Sequence, residues 1–389
     1  MKSIDRLFAL GFRPFYLLAS LFAIGSLVFW LLSFTGVVHA GGYLRGIFWH
    51  SHEMVFGLAI AVMSGFLLTA VRNWTGLATP TGLALAAMAV VWLAGRLLIA
   101  TGPPMLAAIT DAAFVPLLAL AIALPIIKSR NQRNYKIVVL LILIALTNVI
   151  YHLASLGPLP AWLAYTSVIT AIDLMTILFA VVAGRAIPAF TKNAIPESAP
   201  RHQSWLELLS FGSLVLIIVT KLSSDWVFVP PLVTTVIIAS AALSHLFRLA
   251  LWQPQLTRGN PLLWMMPVSY LWLPIALFLR ALAGYSIVGQ GVWIHALTMG
   301  AISGLMLAMM MRSSLGHTGR RLVASGVDVA AFLTLQLAAL IRVSAGLFAA
   351  ESYGPVVVLS GAVWALAFAV FLTRYAPMLV SPRVDGRPG

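Results

Sequence analysis

The 389-residue chain contains no cysteine, and only 9% of its residues are charged. Without thiols there is no disulfide, no thiolate-bound metal and no iron–sulfur cluster, which leaves His, carboxylate and Met as the strong metal ligands. Acidic residues are scarce, 10 Asp and Glu against 24 Lys and Arg. So little charge, with 61% hydrophobic residues and a mean hydropathy of +1.00, excludes an ordinary soluble domain and points to an integral membrane protein. The N-terminal stretch MKSIDRLFALGFRPF lacks a small-residue cleavage site after a short apolar core. The first apolar segment is therefore expected to be retained.

What the chain has in abundance is apolar runs of about 20 residues, the length an α-helix needs to cross a hydrocarbon core about 30 Å thick. Reading them between charged or Pro/Gly-rich breaks gives spans near 14–35, 51–71, 81–101, 105–127, 136–156, 161–187, 206–223, 229–251, 262–283, 289–312, 325–349 and 354–376. The expected fold is an all-α polytopic membrane helix bundle of about 12 transmembrane helices, a single transmembrane domain over residues 1–389. Loops are short, the longest running from 188 to 205, and no clear internal repeat stands out.

An even number of spans puts both termini on one side. Of the 24 basic residues, only Arg45, Arg96, Lys221, Arg280 and Arg342 then fall towards the other side, so the positive-inside rule places both termini in the cytoplasm. The net charge of +14 is thus an orientation signal, and no nucleic-acid partner is expected.

In this orientation the stretch WHSHEMVFG at 49–57 opens the second span at the external side, with His50, His52 and Glu53 at its head. The fifth span brings Asn148 and His152, four residues apart on one helical face, to the same level. His295, early in the tenth span, is expected there as well. Ionisable groups inside a bilayer are costly and mark sites facing the bundle interior. Several imidazoles without thiolates suit haem iron or copper, or a proton path; interfacial contact with headgroups is the plainer account. Residues i and i+2 of a helix point about 200° apart, so His50 and His52 are not expected to share one metal. Glu53 is placed to orient an imidazole, accept a proton or pair with a nearby Arg.

Further polar positions have two readings each. In the tenth span His295, Met299 and Met306 share a face, and Ala296, Gly300 and Gly304 form a small-residue strip that admits another backbone or a flat macrocycle. Arg280 and Arg342 either pair with Glu351 and Asp225 or hold the propionates of a haem. Asp111 and Asp173 inside spans either mark a proton path or pair with buried Arg96. At the cytoplasmic ends stand Arg13, Arg72 with Trp74, Arg185, His245 with Arg248, and Arg312 with His317 and Arg320. Anionic headgroups explain such arginines, and His317, between glycines, reads as a loop residue. A second cofactor or propionate site is the alternative.

The stretches GFRPFYLLA (11–19), WHSHEMVFG (49–57), GFLLTAVRNWTG (65–76), GRAIPAFT (184–191) and HALTMGAISGLMLAMMMRSSLGHTGR (295–320) resemble the NnrS family of bacterial inner-membrane proteins. The resemblance implies a multi-pass protein of the bacterial inner membrane that binds haem, of b type, and copper. It also implies a role in nitric oxide metabolism, denitrification and resistance to nitrosative stress. The resemblance carries over His50, His52, Glu53, His295 and His317 as candidates, and depth and residue type add Arg280, Arg342 and His152: His50, His295, Arg280, Arg342 and His317 are cofactor-binding candidates, and His50, His52, His152 and His295 are candidate metal ligands. Glu53 is the catalytic proton donor if the protein is an NO reductase. Nitric oxide would be substrate or ligand, membrane lipids the surroundings, and a quinol or periplasmic protein the electron donor. The alternatives are a secondary transporter of a metal, metal complex or small anion, and a non-catalytic NO sensor.

Overall fold

A computed structural model describes residues 6–38, 42–224, 226–348 and 353–387. The described residues are helical, with no strand, and twelve helices are long and apolar enough to cross a membrane. The chain is a multi-pass membrane protein. In chain order the helices are α1 (Phe12–Phe34), α2 (Gly46–Thr75), α3 (Gly82–Thr101), α4 (Pro104–Lys128), α5 (Tyr135–Leu156) and α6 (Trp162–Ala194). They continue with α7 (Ser204–Ser223), α8 (Pro231–Leu251), α9 (Pro261–Gly284), α10 (Gln290–His317), α11 (Gly326–Phe348) and α12 (Tyr353–Val380).

The helix boundaries follow the local chemistry. Pro104, Pro231 and Pro261 each occupy the first position of a helix, where the missing N–H costs nothing, and the Asn260 side chain caps α9 by accepting from the Leu262 N–H. Gly76, Gly157 and Gly319 stop α2, α5 and α10 at φ of 69°, 101° and 76°, a conformation that strains any residue with a Cβ. Two of the spans that run longer than the apolar pattern predicts carry local breakers within them. In α6, Pro188 lies inside the helix rather than ending it, so the connection expected from 188 contracts. At 33 residues and 1.5 Å each, α6 is about 50 Å long, well beyond the hydrocarbon thickness. In α10 the helix continues through Ser313 and Gly316 to His317, which is its last residue and not a loop position.

The described chain falls into two compact units: Met1–Met175 with Met310–Leu322 and Phe368–Gly389, and Thr176–Met309 with Val323–Ala367. In the first, α2 packs on α1 and α4, and α4 also packs on α3 and α5. In the second, α7 to α11 form a row in which each helix packs on the next. Burial separates the helices sharply. The most apolar stretches of α1 and α7 are only 28% buried, as expected of lipid-facing helices, whereas those of α2, α9 and α10 are 83%, 72% and 72% buried and that of α6 is wholly buried. The helices that carry the polar motifs are interior helices, where such groups need partners.

Two of these helices share an unusual backbone. In α2 an α-helical turn ends on His52 and residues Glu53–Ala59 are π-helical; in α10 an α-helical turn ends on His295 and Ala296–Ile302 are π-helical. The match extends along both helices at one constant offset. His52, Gly57, Met63, Thr75 and Gly76 of α2 correspond to His295, Gly300, Met306, Thr318 and Gly319 at and beyond the end of α10. Thr75 and Thr318 each turn their hydroxyl back to the carbonyl four residues earlier. This repeat is too dispersed to see in the letters alone. π-Helical stretches are rare and gather at functional sites.

Candidate metal centre

In the first unit, four helices bring their polar residues to one buried point. α2 supplies His52 and Glu53, α3 Arg96, α4 Asp111, and α5 Asn148 and His152; all are buried, and His52 is completely enclosed. The Asp111 carboxylate is the hub. Its Oδ2 lies 2.8 Å from His152 Nε2 and 3.2 Å from His52 Nε2, and it accepts from Asn148 Nδ2 at 2.8 Å. Asp111 Oδ1 contacts the Arg96 guanidinium, whose Nη1 donates to Glu53 Oε2 at 2.7 Å. Glu53 Oε1 lies 3.2 Å from His52 Nδ1, and the Tyr43 hydroxyl lies 2.6 Å from His152 Nδ1. Burial holds the Tyr43 phenol above its ordinary pKa, so it stays protonated.

Local sequence makes this approach possible. A Cβ on Gly57 would stand 3.0 Å or less from Arg96 Nη1, Glu53 Oε2 and the Phe22 ring, so only glycine lets the guanidinium cross the π-helical stretch. Gly95 lets α4 come close, since a Cβ there would meet Asp111 Cα at 3.2 Å. The Trp92 indole N–H donates to the Gly57 carbonyl, and Phe22 meets Trp92 edge-on with ring centroids 5.4 Å apart.

The charges do not cancel by themselves. Glu53 and Asp111 carry two negative charges against one on Arg96, and a buried uncompensated charge is expensive. An additional proton on His52 or a bound cation restores neutrality. One ligand atom each from His52, Asp111 and His152 lies within 4.8 Å of the others, a group able to hold a metal ion. Two imidazoles and a carboxylate suit zinc, copper or non-haem iron. Ligation through both Nε2 atoms would leave the ring protons on Nδ1, facing Glu53 and Tyr43, the arrangement by which a carboxylate or oxygen neighbour fixes a ligating imidazole.

The expected residues separate into distinct environments. His52 and His152 come together, their ring centroids 5.0 Å apart. His50 does not join them: it turns to stack on Trp30, with ring centroids 4.5 Å apart and planes 12° from parallel, as its spacing from His52 predicts. His295 lies in the second unit, where its Nδ1 donates to the Gly291 carbonyl at 2.6 Å and Arg342 is near enough for its charge to be felt. Arg280 lies over the Trp293 ring at 4.3 Å and Arg342 over Tyr353 at 5.0 Å. The proposed partners Glu351 and Asp225 fall outside the described residues. His317 packs on Phe12, with ring centroids 5.5 Å apart. The small-residue strip of α10 serves helix packing: a Cβ on Gly300 would meet the Trp272 ring at 2.4 Å, and one on Gly304 the Ser269 hydroxyl at 2.5 Å.

Asp111 and Arg96 prove as central as the histidines, and their charge inside apolar spans was the signal for them. Tyr43 gave none, because it lies in the connection before α2 and reaches His152 only through the fold.

The model of the NnrS protein family matches residues 6–383, nearly the whole chain. The chain belongs to the NnrS family. No curated protein sequence matches it. NnrS membership and the buried His52–Asp111–His152 group together suggest metal binding.

Proposed function

We propose that this NnrS-family protein acts in the bacterial response to nitric oxide, binding it at a metal held by His52, Asp111 and His152 and removing it. The observation that carries the reading is the buried two-imidazole, one-carboxylate group with its unbalanced negative charge. Bound there, a redox-active first-row metal such as copper would supply an open coordination position for a small neutral ligand. The residues of the chain do the remainder. Glu53 and Tyr43 hold the two rings in one orientation, Arg96 keeps Glu53 and Asp111 in place, and the apolar walls of Phe56, Trp92 and Tyr151 exclude water. Reduction of two NO to N2O and water takes two electrons and two protons. A quinol or a periplasmic donor supplies the electrons, and the Glu53–His52 pair is the proton-handling element.

Haem belongs in the second unit on this reading. His295 has the fitting form, since an imidazole that donates Nδ1–H to a backbone carbonyl presents Nε2 as a ligand. Arg280 and Arg342 are the candidates to hold acidic groups of such a cofactor, and His50 and His317 are secondary positions. A second reading, an ion-coupled transporter, draws on Arg96, which already supplies much of the positive charge a cation would bring.

The test is metal and haem content, with N2O formation from NO, on the purified full-length protein. We expect a first-row metal that His52→Ala and His152→Ala each remove and His50→Ala retains, and a haem that His295→Ala removes. Metal-free protein that moves ions into proteoliposomes would establish the transporter instead.

A further inference from the structure

The His52–Asp111–His152 centre is buried, yet a metal ion has to reach it. His52 is fully enclosed, and Asp111 and His152 are each 2% exposed. A hydrated cation does not cross hydrocarbon, so its route starts at an aqueous face. His52 and Asp111 lie near the starts of α2 and α4, and Arg96 and His152 near the ends of α3 and α5. All four helix ends belong to one face of the unit, the face to which α1 carries the chain from its N-terminal end.

At that face the connection between α1 and α2 covers the centre. Its described part next to α2 begins at Gly42, which lies so close on the end of α3 that a Cβ there would run into the Ile99 carbonyl. Tyr43 then places its hydroxyl 2.6 Å from His152 Nδ1, and Leu44 is 2% exposed. Tyr43 itself is half-buried, so its phenol stands between solvent and the enclosed imidazole.

Little else holds this connection down. Among the described residues no backbone hydrogen bond ties Gly42–Leu44 to a neighbouring helix, and the bond from Arg45 Nε to the Gly42 carbonyl, at 3.5 Å, stays within the segment. Arg45 is exposed and extended, with φ −131° and ψ 154°. Gly46 follows at φ 55°, and nothing beyond its chain neighbours comes within 4 Å of where its Cβ would stand. A glycine at positive φ in open space takes up a change of backbone direction at low cost, which is what a hinge requires. The walls of the centre are built differently, since α4 packs on α2, α3 and α5 along their lengths.

We propose that Gly42–Gly46 is a lid: it turns on Gly46, Tyr43 leaves His152, and a hydrated first-row metal ion enters or leaves through the face opposite the N-terminal end of α1. The inference rests on the reading of His52, Asp111 and His152 as a metal site. Tyr43 suits the closing contact, because a hydroxyl both donates and accepts. It donates to Nδ1 while the imidazole of the empty site carries its proton on Nε2, towards Asp111, and it accepts from Nδ1–H when Nε2 is a metal ligand. The lid therefore closes over the empty and the loaded site alike.

The test uses full-length protein loaded with copper(II) or zinc(II) in proteoliposomes. Twelve crossings put both termini on one face, which a C-terminal tag identifies. EDTA, which does not cross the bilayer, should strip the metal from the face away from the termini and not from the other. Tyr43→Phe should speed that loss about fivefold, as expected when the closed state lacks one hydrogen bond. A second readout needs no metal. The chain has no cysteine, so Leu44→Cys carries a single thiol that a membrane-impermeant maleimide reaches only with the lid open. Adding Tyr43→Phe should raise its labelling rate by a similar factor, while Leu141→Cys, fully buried in α5, stays unlabelled in either background. Metal lost through the face of the termini, or to neither face, overturns the lid, and so does labelling of Leu44→Cys that Tyr43→Phe leaves unchanged. Protein that takes up neither metal refutes the metal site itself, and the lid with it.

Discussion

α2 and α10 use one backbone device for two different surroundings. Each begins with an α-helical turn ending on a histidine, continues as seven π-helical residues, and places a glycine five positions after the histidine. In α2 the residue after the histidine is Glu53, and neighbouring helices add Arg96, Asp111, Asn148 and His152. In α10 the equivalent residue is Ala296, the histidine is held by its own backbone, and the glycine packs against Trp272. The π-helical turn therefore presents an imidazole, and what packs around the imidazole decides its chemistry. A dense ionic network grips His52. His295 is held through Nδ1 alone among the described residues, by the Gly291 carbonyl of its own helix.

The largest effect that would break this contrast is expected at Arg96. Arg96→Met leaves Glu53 and Asp111 buried together without their cation, which should cost about 3–5 kcal/mol and appear as loss of folded protein or a deep fall in Tm. Arg342→Met, beside His295, faces no such carboxylate pair among the described residues and should cost far less. Comparable losses in the two variants would show that the networks are not different in kind. Adding Glu53→Gln to Arg96→Met should restore part of the loss.

A smaller effect is expected at the paired glycines. Gly57→Ala and Gly300→Ala each force a methyl into an occupied space, and about 1–3 kcal/mol of destabilisation is expected for either. Only Gly57→Ala should also lower the metal content, because it displaces Arg96 and Glu53. Metal loss in Gly300→Ala would join two centres that are assigned separately above.

The terminal glycines come next. Gly76→Ala and Gly319→Ala both place a Cβ at positive φ, at about 1 kcal/mol each. Gly76 has open space around it, whereas a Cβ on Gly319 meets the Asp385 carboxylate at 2.7 Å. Gly319→Ala should therefore lower Tm more, and equal shifts would mean that the tail after α12 does not rest on α10.

The smallest effect is in that tail. The Arg383 guanidinium beside Asp385 lowers its carboxyl pKa from 3.8 to about 2. A depressed pKa contributes stability above the unfolded value, and the contribution fades as pH falls from about 4 to 2. Thermal melts of wild type and Asp385→Asn should differ slightly at neutral pH and converge below pH 2; a difference that persists there would mean that the ion pair is not its source.

Much of the fold was legible in the letters because a membrane imposes a simple rule. A helix that satisfies its own backbone must be apolar for about 20 residues, and all twelve spans could be counted on that basis. Charged residues inside them were equally visible as anomalies, which is how His52, Glu53, Asp111, His152 and Arg96 were noticed. Their grouping was less visible. A common depth was expected to join His50, His52, His152 and His295, but depth does not specify which way a side chain faces. His50 turned to Trp30, while Asp111 and Arg96, noted only as a possible pair, became the centre of the network. The continuation of α6 through Pro188 and of α10 to His317 escaped the apolar pattern because tertiary packing outweighed local breakers.

By itself the sequence determined that this is a membrane protein of twelve helices, with ionisable residues on its interior helices and glycines where backbones approach or helices end. These follow from local physics: hydrophobic length, backbone hydrogen bonding and the room a Cβ needs. Tertiary structure alone decided that Asp111 bridges His52 and His152, that Arg96 spans Glu53 and Asp111, and that the tail after α12 brings Arg383 to the His317 carbonyl. These contacts join residues far apart in the chain, and no local propensity records a partner that only packing brings near.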